Sequence, residues 1–313
     1  MAPYELIGKK LGHSFSKPIH EALGAYEYGL RELPEEAAVA EYLTKRAFKG
    51  CNVTIPYKQT VMPFCDEIDE RARRIGAVNT IVNRDGKLYG YNTDYEGFAW
   101  MLARKGISLA GRKVLLLGGG ATAKTASAVA QDAGAACVQV AGRQAGANKI
   151  SYEEAARQGD AEIIINTSPT GMYPHNGEVL IDLAAFPGLL AVADVVYNPL
   201  QTRLLWNARQ LGLPAVGGLP MLVMQAVAAA RLFTGHSFPE SEAERILKDV
   251  YAQQANITLI GMPSCGKSKL GEALARQMKR DFVDLDEALV QKAGRSIPDI
   301  FAQDGEEAFR RLE

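Results

Sequence analysis

"KVLLLGGGATAKTASAVAQDAGAACVQVAGR", residues 113–143, decides the fold class. Lys113–Leu117 reads as a buried strand, its Val114–Leu117 a short, continuous apolar run of the kind a strand buried on both faces requires. Three glycines follow it. Ala123–Ala133 then reads as a helix, Gly134 is placed to end it, and Cys137–Ala141 reads as the next strand. Gly118, Gly120 and Ala123 stand where a dinucleotide-binding turn has Gly-x-Gly-x-x-Gly/Ala. The first glycine permits the tight turn, and the second lets backbone N–H groups approach a pyrophosphate at the helix N-terminus. The third small residue lets helix and strand pack closely.

Working outward, "AEIIIN" (161–166) and "AVADVVY" (191–197) read as further strands. Strands alternating with helices predict a doubly wound parallel sheet. The first hundred residues mix short apolar runs ("YELIG", "GCNVTI", "VNTIVN", "KLYGYN") with a helical stretch at 35–47. Residues 220–235 are apolar all round and predict a packed helix closed by Gly235. A polar helix and linker should fill 236–255, and a new strand should start at Ile257. The domain expectation is residues 1–100 with the helices of 220–250, then 101–219, then 251–313.

Composition narrows the class. The chain has 313 residues, 35 basic and 36 acidic, for a net charge of −1. A nucleic-acid or membrane-surface partner would call for a basic excess, so neither is expected. The longest apolar run, 189–197, is too short to span a bilayer. The N-terminal residues lack the apolar core of a signal peptide, so a cytoplasmic protein is expected. The four cysteines lie far apart and form no Cys-x-x-Cys pair, which argues against a zinc site or a disulfide framework.

At the end of the second strand of the opening unit stands Arg143, after Gly142. A site selective for NAD usually carries an acid there for the ribose 2′-hydroxyl. A guanidinium suits a 2′-phosphate instead, so NADP is the expected cofactor. In the first block, Ser14, Ser16, Asn52, Thr54, Lys58, Asn79, Asn92 and Asp94 lie on segments bounded by glycine and proline. These hydroxyl, amide, ammonium and carboxylate groups could line a pocket for a small polyhydroxylated acid.

Eight motifs in order then resemble the shikimate dehydrogenase family: "GHSFSKPIH", "GCNVTIPYK", "IGAVNT", "GYNTDYEG", "VLLLGGGATAK", "IINTSPTGM", "DVVYNPLQTRLL" and "GLPMLVMQA". The resemblance covers residues 4 to about 250. It implies a substrate-binding α/β domain and a Rossmann-type NADP-binding domain, with substrate in the cleft between them. The implied reaction is reversible reduction of 3-dehydroshikimate to shikimate by NADPH; quinate is not excluded. It also implies Lys58 and Asp94 as the catalytic pair. Ser14, Ser16, Thr54, Asn79, Tyr197 and Gln225 would contact substrate. Gly118, Gly119, Gly120, Ala121, Arg143 and Thr167 would contact the cofactor. The family's usual Gly-Ala-Gly-Gly-Ala turn has Ala121 at its fourth position here. Its usual Asn-Arg-Thr is Gly142-Arg143-Gln144, which loses two potential phosphate contacts. His20-Glu21 replaces its usual His-Asn, and His20 reads as structural.

The tail, "LIGMPSCGKSKLGEALA" (259–275) onward, carries a phosphate loop and resembles shikimate kinase over its whole length. The resemblance implies Gly261, Gly266, Lys267 and Ser268 for ATP phosphates, Ser268 and Asp284 near magnesium, and Asp286 and Arg310 for shikimate. The lid and adenine loop of that family would lie beyond Glu313. The expectation is therefore an incomplete P-loop α/β domain, inactive as a kinase in this chain, with ATP and magnesium relevant only when complete. Two alternatives stand beside the dehydrogenase reading: ATP-dependent shikimate phosphorylation as the main activity, and a non-catalytic NADP-sensing relative. Oligomeric state is not legible.

Overall fold

In the computed structural model, residues 3–12, 14–24, 26–146, 148–262 and 264–312 are described. His13 of the first motif and Pro263 of the phosphate loop lie outside them. The chain forms two compact units, Met1–Ala255 and Asn256–Glu313.

The first unit begins with a six-stranded mixed sheet: β1 (Tyr4–Gly8), β2 (Tyr28–Glu32), β3 (Gly50–Val53), β4 (Glu67–Ile68), β5 (Thr80–Arg84) and β6 (Lys87–Tyr91). Their spatial order is β2-β1-β3-β5-β6-β4. β1 runs parallel to β2 and β3, while β5 is antiparallel to both β3 and β6. Its helices are α1 (Ser16–Ala22), α2 (Glu36–Lys45), α3 (Glu70–Ile75) and α4 (Asp94–Arg104). One sheet face buries Ile7, Val53, Ile81 and Leu88 against Val39 and Leu43 of α2.

The second sheet is wholly parallel: β7 (Lys113–Leu117), β8 (Cys137–Gly142), β9 (Ile150–Ser151), β10 (Ile163–Asn166), β11 (Ala191–Asp194) and β12 (Ala215–Val216). Its order is β12-β11-β10-β7-β8-β9. Helices α5 (Ala121–Asp132), α6 (Tyr152–Gln158) and α7 (Arg203–Gln210) connect the strands. This is the expected doubly wound sheet, and its strand order reverses between β7 and β10. A ligand crevice opens at such a reversal, outside the carboxyl ends of the strands. Leu115, Leu117, Ile164 and Val192 pack into one core; Val114, Leu116, Ile163 and Ile165 pack into the other, with α4 and α5.

Helices α8 (Leu219–Thr234) and α9 (Glu240–Gln254) close the unit. α8 ends at Gly235, whose φ of 72° is left-handed, as its sequence position predicts. Gly97 lets α4 approach α8 closely: a Cβ there would lie 2.5 Å from the Met221 carbonyl and 3.1 Å from the Gln225 nitrogen.

The second unit contains α10 (Lys267–Met278), α11 (Leu285–Ala293) and α12 (Ile297–Leu312). The strand expected from Ile257 is not formed among the described residues, and Ile260 is 89% exposed. The physical reason is hydrogen bonding. A strand exists only against a partner, and no described residue of this unit supplies one. The apolar pattern at 257–260 is real but uncovered. Among all described residues, no helix is long and apolar enough to cross a membrane.

Candidate functional site

The site grows from residues 77–80. Val78 N–H donates to the Lys58 carbonyl at 2.8 Å, which fixes the backbone of the turn after β3. The side-chain oxygen of Asn79 accepts Thr93 N–H at 2.7 Å, which fixes the start of α4. Asp94 is the first residue of that helix, 6% exposed. Its carboxylate meets the Lys58 ammonium at 2.6 Å, with both side chains largely out of solvent. A carboxylate is favoured in a first helical turn by the backbone dipole. An ammonium so placed can donate a proton to a neighbouring oxygen, and the carboxylate orients it.

Lys58 also lines a cavity of about 530 Å³ with Ile55, Gly118–Ala121, Arg143 and Thr167. Here the end of the first sheet faces the reversal point of the second. Gly118 has a φ of 103°, which an L side chain resists, and a Cβ there would lie 3.0 Å from Ser168 Cβ. A Cβ on Gly119 or Gly120 would meet nothing within 4 Å, so open space lies over the turn. No side chain caps α5. The first N–H groups of this twelve-residue helix are therefore available to an anion. These features fit a dinucleotide pyrophosphate, and Thr167 and Ser168 stand across the turn from it. The Thr167 hydroxyl donates to the Leu117 carbonyl at 2.9 Å, which ties the two strand ends together.

Behind that loop, Asp194 is fully buried and accepts hydrogen bonds from Asn166 Nδ2 (2.9 Å), Val196 N–H (3.0 Å) and the Thr202 hydroxyl (2.7 Å). Burial pushes its carboxyl up to about 6, with the three donors partly offsetting. Asn166 in turn accepts from Ser168 N–H and the Ser168 hydroxyl. One carboxylate thus organises both the 166–170 loop and the 195–202 segment that carries Tyr197.

The remaining sequence-predicted residues fall into smaller contacts. Ser14 Oγ accepts Ser16 N–H at 3.2 Å at the start of α1. Phe15, between them, packs edge-on against Tyr197 with ring centroids 5.6 Å apart, and burial raises the Tyr197 hydroxyl. Thr54 packs its methyl against Gly8, where a Cβ would lie 2.5 Å away. Gln225 is on α8 beside Gly97, one turn from Asp94. His20 is fully buried, stacked on Tyr28, and burial drives its imidazole down to about 3, so it stays neutral.

One residue escaped the sequence reading. The Lys149 side chain lies across Gly142, its Cδ 3.4 Å and its Nζ 3.6 Å from where a Gly142 Cβ would stand. Glycine at 142 therefore brings a second cation to the strand end that carries Arg143. Lys149 and Lys124 line a second cavity of about 670 Å³, which shares Gly119 with the first. Neither lysine pairs with a carboxylate among the described residues. The sequence signal was a lysine just before β9, seven residues past β8, which by itself reads as surface.

In the second unit, the Lys267 ammonium donates to the Gly261 and Met262 carbonyls, both at 2.9 Å. Gly261 and Gly266 have φ values of 154° and 91°. The Ser268 hydroxyl donates to Asp284 at 3.0 Å, and Asp284 also accepts Asp286 N–H at 3.0 Å. Arg310, on α12, pairs with Glu306.

Comparison with known proteins agrees with this architecture. Residues 6–81 match the family model of the shikimate dehydrogenase substrate binding domain, and residues 263–313 match that of shikimate kinase. A shikimate dehydrogenase (NADP(+)) of Clostridium perfringens is 37% identical over 80% of this chain and 98% of its own length. The structure of a chorismate mutase/shikimate 5-dehydrogenase fusion protein from Clostridium acetobutylicum matches with a TM-score of 0.75 at 35% identity. It covers 80% of this chain and 97% of that one. The shikimate 5-dehydrogenase of Thermus thermophilus in complex with NADP(H) and shikimate matches with a TM-score of 0.70 at 32% identity. It covers 80% of this chain and 99% of that one.

Proposed function

This chain belongs to the shikimate dehydrogenase family, and we propose that its first 255 residues catalyse the NADP-dependent, reversible reduction of 3-dehydroshikimate to shikimate. The observation that carries the reading is the Lys58–Asp94 pair: a largely buried ammonium and carboxylate of which Lys58 lines the same cavity as an uncapped glycine turn.

NADPH, when bound, supplies the hydride. The chain's own residues then have three tasks. Backbone N–H groups at the start of α5 hold the pyrophosphate, with Gly118–Gly120 and Ala121 keeping the approach open. Arg143 holds the 2′-phosphate, and Lys149 adds a second positive charge there. Lys58 donates a proton to the oxygen on which negative charge develops and takes one back from solvent, with Asp94 holding it in place throughout. Ser14, Ser16, Thr54, Asn79, Tyr197 and Gln225 orient the substrate's hydroxyl and carboxylate groups. Residues 1–100 with α8 and α9 form the substrate part and residues 101–219 the cofactor part. The test is direct: purified protein with shikimate should reduce NADP much faster than NAD. Absence of turnover with shikimate would sink the reading, and a preference for NAD would overturn its cofactor half.

For the second unit we propose a phosphate loop that would seat ATP phosphates on Gly261, Gly266 and Lys267. Magnesium would sit at Ser268 and Asp284, and Asp286 and Arg310 would face a shikimate hydroxyl. The donor set fits: the Ser268 hydroxyl and Asp284 carboxylate already meet at 3.0 Å. The 313-residue chain should release no ADP from ATP, magnesium and shikimate. A chain extended by a complete kinase domain should, and Lys267→Ala should abolish that turnover, whereas unchanged turnover in the variant would refute the assignment.

A further inference from the structure

A chain of buried polar groups runs through the first sheet to the start of α4. The Tyr28 hydroxyl donates to Asn52 Oδ1 at 2.7 Å. Asn52 Nδ2 donates to Thr80 Oγ1 at 3.0 Å. The Thr80 hydroxyl donates to Asn79 Oδ1 at 3.1 Å, and the same oxygen accepts Thr93 N–H. Asn79 Nδ2 donates to Thr93 Oγ1 at 3.1 Å, and Thr93 Oγ1 lies 3.0 Å from Thr80 Oγ1. All five residues are at most 5% exposed.

Five polar side chains in a sheet interior cost desolvation that apolar residues would avoid, and no single bond explains their presence. Their direction does. The first two links run from β2 past β1 to β3 and on to β5, the next joins the sequence neighbours Thr80 and Asn79, and the last ends on Thr93, the residue before Asp94. The same short segment holds the other half of the pair, because Val78 N–H binds the Lys58 carbonyl. Val53 N–H bonds the Asn79 carbonyl at 2.8 Å, which ties the segment to β3 as well. The far end is stiffened by aromatic packing: His20 lies flat on Tyr28, centroids 3.9 Å apart and planes 7° from parallel.

We propose that Tyr28, Asn52 and Thr80 are positioning residues for the proton-transfer pair. Through Asn79 and Thr93 they set where Asp94 stands relative to Lys58. All three are buried, and none lines the cavity that Lys58 shares with the glycine turn. The inference rests on the assignment of Lys58 and Asp94 to proton transfer.

Thr80→Val keeps the shape of the side chain and removes the hydroxyl. It should lower kcat for shikimate oxidation by about tenfold or more, since small misplacements of catalytic groups cost up to about a hundredfold. The NADP KM should stay unchanged, and Thr80→Ser should restore kcat to within about threefold. In an Asp94→Asn background the Thr80→Val loss should disappear, because nothing remains to be positioned. A loss of thermal stability alone, with kcat intact, would make the network structural and overturn the proposal. So would an equal kcat loss with and without the Asp94 carboxylate. Should Thr80→Val not fold, Tyr28→Phe at the outer end carries the same comparison. Wild-type turnover of shikimate, measured first, reports on the reaction itself and separates its failure from that of the network.

Discussion

The ammonium of Lys58 and the carboxylate of Asp94 come within 2.6 Å although each belongs to a different chain segment, and two neighbouring residues hold the backbone at them: Val78 binds Lys58 itself and Asn79 binds Thr93, just before Asp94. Lys58→Ala should lower kcat by about 10²–10⁴-fold, the range for a positioned acid–base group, with a smaller effect on the shikimate KM. Asp94→Asn should lower kcat in the same direction. Steady-state assay of cofactor reduction checks both; a variant changed only in KM would remove its residue from proton transfer.

Cofactor choice should divide between two cations. Arg143→Ala should weaken NADP by about tenfold to a hundredfold, as for loss of a charge-assisted hydrogen bond, and leave NAD nearly untouched. Lys149→Ala should do the same to a smaller extent, because an ammonium meets a phosphate as a point charge and lacks the bidentate fork of the guanidinium. Inhibition by adenosine 2′,5′-bisphosphate against 5′-AMP measures this without turnover. Equal losses for both nucleotides would make the two side chains structural.

Asp194 should impose a pH dependence on folding. Its carboxyl is raised from 3.8 to about 6 by burial. The folded state therefore holds the proton more tightly than the unfolded chain. The stability this contributes is complete below about pH 4 and is lost as pH rises through about 6; the two-unit shift corresponds to about 3 kcal/mol. Asp194→Asn can keep Asn166 and Val196 on its oxygen and donate its amide to Thr202. Urea unfolding should show the variant at least as stable as wild type at neutral pH and flatter between pH 4 and 6.5. A variant much less stable at neutral pH would mean the charged carboxylate is favourable in place.

Gly97→Ala places a methyl 2.5 Å from the Met221 carbonyl. Helices α4 and α8 must separate, at a cost of roughly 1–3 kcal/mol or more. Because Asp94 sits one turn away, kcat should fall together with the melting temperature. Calorimetry and assay on one preparation check this, and an unchanged melting temperature would show that the two helices part freely.

Residues 256–313 should be the first to yield to protease. Their buried apolar cluster centres on Leu289, Ile300 and Phe309, while Ile260, Met262, Leu270, Val283 and Leu285 are all more than half exposed. Few buried contacts mean low local opening free energy. Limited proteolysis should leave a fragment ending near Ala255 that still oxidises shikimate. Simultaneous loss of both units would contradict this.

What the sequence made legible was what is local. The β7-turn-α5-β8 unit follows from a four-residue apolar run, three glycines and a helix stop, all within 31 residues. Gly235 ended its helix as its position implied. Lys58 and Asp94 were reachable only by resemblance, since nothing in their spacing states that they meet. Lys149 over Gly142 was hidden because a side chain folding back on a glycine leaves no periodic trace. Tyr28, Asn52 and Thr80 are scattered over three strands and became a set only when strand order was known. The strand at 257–260 failed for the opposite reason: its local pattern was right, but ladder bonds need a neighbour.

The anchoring of Lys58 and Asp94 to Val78 and Asn79 has a bearing on redesign. Proton transfer is aligned by residues that precede α5, whereas Gly118–Gly120, Arg143 and Thr167 all hang from the ends of the parallel sheet. The two alignments meet at α4, whose first residue is Asp94 and whose Phe98, Met101 and Leu102 pack into the core of the parallel sheet. A cofactor half grafted from a relative of different nucleotide preference should therefore keep the Lys58–Asp94 pair aligned only when the residues it presents to α4 are carried over unchanged.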